Sequence, residues 1–126
     1  MGSRAAVPSQ HPDLVTRVRG AIPTGRAVRE VRMFGGISFM LDERMLVAAR
    51  RGGDLLVRID PDMHDDLLLR PGAHPALMGT ERPMGPGWIS VGPDGTGTDS
   101  DLTEWVAVAL EFHGRSAVAK APDADR

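Results

Sequence analysis

Hydrophobic residues change their spacing repeatedly along this chain, and each change marks an element. Leu14, Val15, Val18 and Ile22 recur at i, i+1, i+4 and i+8 and so line one helical face, with Arg17 and Arg19 turned elsewhere. Pro12-Asp13 suits the first turn of that helix, and Gly20 to Gly25 with Pro23 between them ends it. From Ala27 the period becomes two. Arg29, Val31 and Met33 alternate with Val28, Glu30 and Arg32, and beyond Gly35-Gly36 the residues Ile37, Phe39 and Leu41 share a face. Asp42-Glu43-Arg44 makes a tight connection, after which Met45, Val47 and Ala49 resume the alternation. Arg51-Gly52-Gly53-Asp54 is a second turn, and Leu55, Val57 and Ile59 form another strand. Strands this close in sequence pair antiparallel, since a parallel return needs a crossover of about a dozen residues.

Asp60-Pro61 reads as a helix start, with Met63, Leu67 and Leu68 facing inward over about three turns before Arg70-Pro71-Gly72. Residues 73–86 are irregular because Pro75, Pro83 and Pro86 oppose a long central strand, although Ala76-Leu77-Met78 can dock on the core. Residues 87–91, GWISV, form a last strand and residues 92–97 a loop. Leu102, Trp105, Val106, Ala109, Leu110 and His113 then give the clearest helical stripe, with Thr98-Asp99-Ser100-Asp101 as caps and Gly114 as its expected end. The organisation expected is a disordered leader over 1–10, one α+β domain over 11–114 and a flexible tail over 115–126. That domain is two-layered, an antiparallel sheet of about five strands with three helices on one face. Alternation leaves Arg32, Met40, Leu46, Leu56 and Arg58 on the other face, a candidate interaction surface for a protein partner or a second copy.

Composition narrows the chemistry. With 126 residues, 41% hydrophobic and 25% charged, the chain fits one domain. The absence of cysteine removes disulfides, thiolate catalysis and thiolate metal sites together. No apolar run approaches the roughly 20 residues of a spanning helix, and the first residues lack the apolar core of a secretory signal. A soluble, cytoplasmic protein with no membrane partner is expected. The net charge of −2 hides an asymmetry: residues 1–60 carry ten Arg against six acids, and residues 61–126 five basic residues against eleven acids. Such a dipole can steer an asymmetric partner or orient two copies.

Candidate functional residues are few. Gly35-Gly36 inside a strand pattern marks a bend or a close backbone approach. No G-x-G-x-x-G or Walker pattern accompanies it, so dinucleotide and phosphate binding lack support. His11, His64, His74 and His113 are scattered, His64-Asp65-Asp66 diverges on a helix, and His113 suits the negative end of the last helix. No serine lies in a nucleophile elbow, and neither catalytic residues, metal nor cofactor are expected. Arg26, Arg29, Arg32, Arg50, Arg51 and Arg58 could form a basic patch for nucleic acid, but 4% aromatic content with no tyrosine provides little for base stacking. Trp88 and Trp105 sit in apolar patterns and read as core.

The run Met33-Phe34-Gly35-Gly36-Ile37-Ser38-Phe39-Met40 resembles the TfoX N-terminal domain family. So do the pieces that follow it in order: Met45-Leu46-Val47, Leu55-Leu56-Val57-Arg58, Pro71-Gly72-Ala73, Gly87-Trp88 and Leu102-Thr103-Glu104-Trp105-Val106. The resemblance covers about residues 12–114 and makes Met33, Phe34, Gly35, Gly36, Gly87, Trp88 and Trp105 its signature positions. It implies a two-layer fold of the secretion-chaperone-like type and a link with regulators of natural competence. In those regulators a second, helical domain normally follows, so this sequence reads as the N-terminal module alone. Asp42-Glu43 departs from the Asn-Gly-like hairpin turn of many members, which implies backbone strain at Glu43 or a longer loop. The function expected is a non-enzymatic regulatory module that binds a protein partner or itself, as a homodimer. Two rivals remain: direct nucleic-acid binding through the Arg-rich early strands, and a small-ligand or enzyme site near Phe34-Gly35-Gly36 and Trp88.

Overall fold

Helix α1 (Leu14–Ala21) starts where Asp13 accepts a hydrogen bond from the Thr16 amide, and it ends on the extended backbone of Ile22. Asp13 is thus the cap rather than part of the first turn. The computed structural model describes residues 13–33, 36–50, 52–78 and 82–124. The expected leader, Phe34 and Gly35 lie outside those residues.

Strands β1 (Val28–Met33), β2 (Gly36–Leu41), β3 (Arg44–Arg50) and β4 (Leu55–Arg58) follow as an antiparallel meander. After α2 (His64–Leu67) come β5 (Ala73–Pro75), the pair β6 (Leu77–Met78) and β7 (Arg82–Pro83), and then β8 (Trp88–Val91). The main sheet has six strands, in the order β1-β2-β3-β4-β8-β5, one more than about five. The addition is β5, three residues ending in Pro75, which pairs with β8 from the outside. An edge is where proline is tolerated, because its missing N–H faces no neighbour.

The helix expected after Asp60 is shorter than about three turns. Asp60 does cap, accepting from the Asp62 amide, but Pro61–Met63 form a 3-10 turn and α2 adds only one turn. Leu67 is buried as expected, Leu68 half-buried, and Met63 exposed. Helix α3 (Asp99–Ala124) runs the other way, continuing through Gly114. A glycine inside a helix costs only about 1 kcal/mol relative to alanine, and Arg115, Ala117, Ala119 and Lys120 beyond it all favour helix.

α1 and α3 cover one face of the sheet. Between them lie Val18, Phe39, Leu41, Val47, Leu55, Val57, Ile59, Ile89, Val91, Leu102, Trp105, Val106 and Ala109. In β2 and β4 these are the positions that alternation assigned inward. β3 departs from it: Phe39 pairs with Val47 but Met40 with Met45, so Leu46 is an extra residue, a bulge. The bulge sends Leu46 into the helix-side core at 1% exposure and moves Met45 to the opposite face. There Met45, Ala48, Leu56 and Ala76 form a second cluster, with Met40, Met84 and Trp88 packed on it. The outer face is therefore covered by the segment around β6 and β7, and Leu46 and Leu56 are not on the surface.

β2 and β3 meet in a two-residue hairpin turn in which both Asp42 (φ 54°) and Glu43 (φ 65°) adopt the left-handed conformation. Glycine favours this conformation and glutamate does not. The Arg29 guanidinium holds the Glu43 carboxylate at 2.6 Å. At the other end of β2, a Cβ on Gly36 would collide with the Ala49 carbonyl and lie 2.7 Å from the Arg50 Cα. Gly36 is therefore required by the spacing of two strands. Substituting Gly36→Ala is expected to cost at least about 2 kcal/mol of unfolding free energy, since only backbone can yield. Glu43→Gly is expected to raise stability by about 0.5–1 kcal/mol by relieving the left-handed strain, despite the lost exposed ion pair. Urea unfolding midpoints check both.

Candidate functional site

Gly36 stands at a cleft of about 620 Å³. Its walls are the start of α1 (Asp13, Leu14, Val15), the end of β1 (Arg32, Met33), the start of β2 (Gly36, Ile37) and the end of β3 (Ala49, Arg50), with Gly53 below. At this end of the sheet Gly36 lets β2 and β3 approach closely, and the first residues of α1 form the facing wall. Most of the lining is apolar. Its charged groups are two guanidiniums and one carboxylate.

Asp13 is committed to capping: hydrogen bonds from Thr16 hold its carboxyl below the usual value, as does Arg19 more weakly. Arg50 donates to the Leu77 carbonyl at 3.2 Å. Arg32 is exposed at the rim. The described lining holds no hydroxyl, thiol or imidazole, so it offers no nucleophile and no acid–base pair; what it can do is take up an apolar group lying beside an anion.

Of the signature positions, Met33 and Gly36 line this cleft. Trp88 lies on the opposite face with the second cluster, and Trp105 is buried in the helix-side core with the Arg70 guanidinium 5.3 Å from its ring centre. Gly87 precedes β8, its carbonyl accepting from the Ile59 amide. Gly36 and Trp88 are thus on different faces of the sheet, while Phe34 and Gly35 of the expected ligand site lie outside the described residues.

The arginines are dispersed as well. Arg29 pairs with Glu43, Arg50 binds backbone, and the Arg58 guanidinium lies 4.8 Å from the Phe112 ring centre, burial first and Arg44 second lowering its pKa. Arg29 and Arg32 fall on opposite faces of β1, Arg26 is exposed before it, and Arg51 lies outside the described residues. These side chains do not build one basic surface.

Two polar arrangements escaped sequence reasoning. His113 is not at a helix end, since α3 continues past it; it is buried at 3% exposure, with Nε2 2.9 Å from Asp42 Oδ2 and Nδ1 without a partner among the described residues. On the outer face, register sets His74 opposite Ser90, and the Ser90 hydroxyl donates to Asp54 at 3.2 Å. These are the three residue types of a hydrolase triad in the wrong order, because the serine proton goes to the carboxylate and not to the imidazole. Neither arrangement has a local sequence signal, since each depends on strand partners far apart in the chain.

The TfoX N-terminal domain model matches residues 23–113. The chain belongs to the TfoX N-terminal domain family. No curated protein and no solved structure matches it. The match starts after α1, so Asp13, Leu14 and Val15 of the cleft wall lie outside the matched residues of this TfoX N-terminal domain. No helix among the described residues is long and apolar enough to cross a membrane.

The orphan Nδ1 leads to a stability prediction. His113→Leu removes a buried unsatisfied atom and leaves Asp42, which is 74% exposed, to water. It is expected to change stability by less than about 1 kcal/mol, whereas His113→Ala, which leaves a cavity as well, costs about 2 kcal/mol. Thermal melts of the two variants distinguish the cases.

Proposed function

We propose that this TfoX N-terminal domain is a non-enzymatic regulatory module that acts by binding protein, a partner or a second copy of itself. The observation that supports it is the make-up of the cleft beside Met33 and Gly36: a mostly apolar lining, an exposed cation in Arg32 with no ion-pair partner among the described residues, and no reactive side chain in the described lining. Such a site suits a segment that presents a Leu or Ile side chain next to Asp or Glu. Family membership supports a regulatory role of the kind associated with competence. Of the five candidates expected on the outer face, Arg32 lies instead on the helix side, because it stands opposite Ile37, and Leu46 and Leu56 serve the interior; Arg32 and Met40 keep solvent contact and Arg58 is partly covered, so these three remain candidate interaction residues. The cytoplasm is the compartment proposed for this role.

Capture from a native extract on the immobilised domain is expected to retain a specific protein, and Arg32→Ala is expected to reduce that retention several-fold. Tight binding of duplex DNA or RNA at low salt, weakening steeply as salt rises, would overturn the proposal in favour of a nucleic-acid-binding regulator.

A further inference from the structure

The sheet has two edges of very different character. β5 is three residues long and ends in Pro75, which has no N–H to offer. β1 is six residues long, and no described strand pairs with its outer side.

Backbone alternation identifies which groups that side presents. The Asp42-Glu43 turn closes Leu41 onto Arg44, so the polar groups of Leu41 face β3. Those of Met40, Ser38 and Gly36 then face β1, where Arg29, Val31 and Met33 are their partners. The amides and carbonyls of Glu30 and Arg32 are consequently turned outward, whereas the Val28 amide donates to the Arg26 carbonyl at 3.1 Å.

The side chains on this edge are self-complementary in one register. Glu30 reaches Arg19 of α1, and Arg32 lines the cleft against Leu14 and Val15, so both lie on the helix side. Two copies joined edge to edge about a two-fold axis must pair residues of the same face. Centring the axis on Arg29, Glu30 or Arg32 sets a like charge against itself, which is unfavourable. Centring it on Val31 sets Val31 against Val31 and Glu30 against Arg32 twice. In that register the facing residues Glu30 and Arg32 are also the ones whose backbone groups point outward, so charge pairing and hydrogen-bond pairing coincide.

We propose that β1 pairs antiparallel with β1 of a second copy, about a two-fold axis through Val31, with Glu30 facing Arg32 of the other chain on both sides. The pairing makes one continuous sheet across two domains, and it rests on the reading of this domain as a protein-binding module. Each Glu30 carboxylate then lies between Arg19 of its own chain, already at 2.6 Å, and Arg32 of the other.

Light scattering at low salt tests it. The wild-type chain is expected to have the mass of a dimer at tens of micromolar, and Glu30→Arg and Arg32→Glu are each expected to weaken association at least about tenfold. An equimolar mixture of the two variants is expected to form a heterodimer, visible by native mass spectrometry, because the opposed charges are then matched in trans. The double variant Glu30→Arg with Arg32→Glu is expected to recover the homodimer, and circular dichroism melts verify that each variant is folded. If Glu30→Arg is unfolded through its proximity to Arg19, Arg32→Glu and the double variant still decide the matter. A wild-type mass of one chain, variants that associate as the wild type does, or a mixture that stays monomeric would overturn the proposal. A wild-type monomer that still captures a partner from extract would remove the edge pairing alone and leave the binding-module reading standing.

Discussion

One extra residue in β3 determines how both sides of this sheet are filled. Without the bulge at Leu46, strict alternation would place Met45 under the helices and leave Leu46 on the outer face beside Leu56. With it, the branched side chain joins Phe39, Val47 and Val106 in the main core, and the longer, more adaptable Met45 packs with Met40, Met84 and Trp88 outside. A side-chain period of two makes such a slip all or nothing along the strand. The consequence is a sheet with two apolar faces, one covered by helices and the other by the proline-containing stretch around β6 and β7.

That arrangement explains where solvent-facing chemistry can remain. Both broad faces are occupied, so the accessible features are confined to the sheet's ends and edges. At one end Gly36 lets β2 and β3 approach closely, beside the cleft that the first residues of α1 face. At the other the Asp42-Glu43 turn is tied down twice, by Arg29 on Glu43 and by His113 on Asp42. A left-handed turn without glycine is tolerated there because surrounding contacts over-determine it. Arg19 and Glu30 add a bidentate link between α1 and β1, whose hydrogen bonds keep the Glu30 carboxyl below its ordinary value of 4.5. A lowered carboxyl favours the folded state above the ordinary value, and the contribution disappears as pH falls through the lowered one.

Much of the fold was legible in the sequence because its signals are local. The stripe from Leu102 to His113, the alternation of Ile37, Phe39 and Leu41, and the turn residues at Gly52-Gly53 each depend on a few neighbouring positions. The bulge was not legible, since the count of residues in β3 has meaning only against the register of β2. β5 was missed for a similar reason: three residues ending in proline satisfy no strand pattern, and only the free side of β8 makes them one. Gly114 read as a stop because a local rule was applied where the cost of breaking it is small. At the cleft, the glycine pair was recognisable in sequence, but its company was not. Arg50 and Leu14 reach it from elements separated in the chain, whereas Trp88, expected nearby, packs through the opposite face.

The two sheet edges show the same division between local and non-local information. Pro75 closes one edge by chemistry readable in a single residue. The other edge carries Arg29, Glu30 and Arg32, charges that by themselves discourage association. Their effect reverses once partners are assigned. Arg29 is drawn to Glu43 on the outer face, which removes it from the edge's charge balance, while Glu30 and Arg32 remain on the helix face with opposite signs two residues apart. Opposite signs at that spacing set a like charge against itself when the axis passes through either residue and cross them when it passes through Val31, so the charges select an alignment as well as discourage wrong ones. A strand that is protected against indiscriminate pairing is thereby left open to a single orderly one.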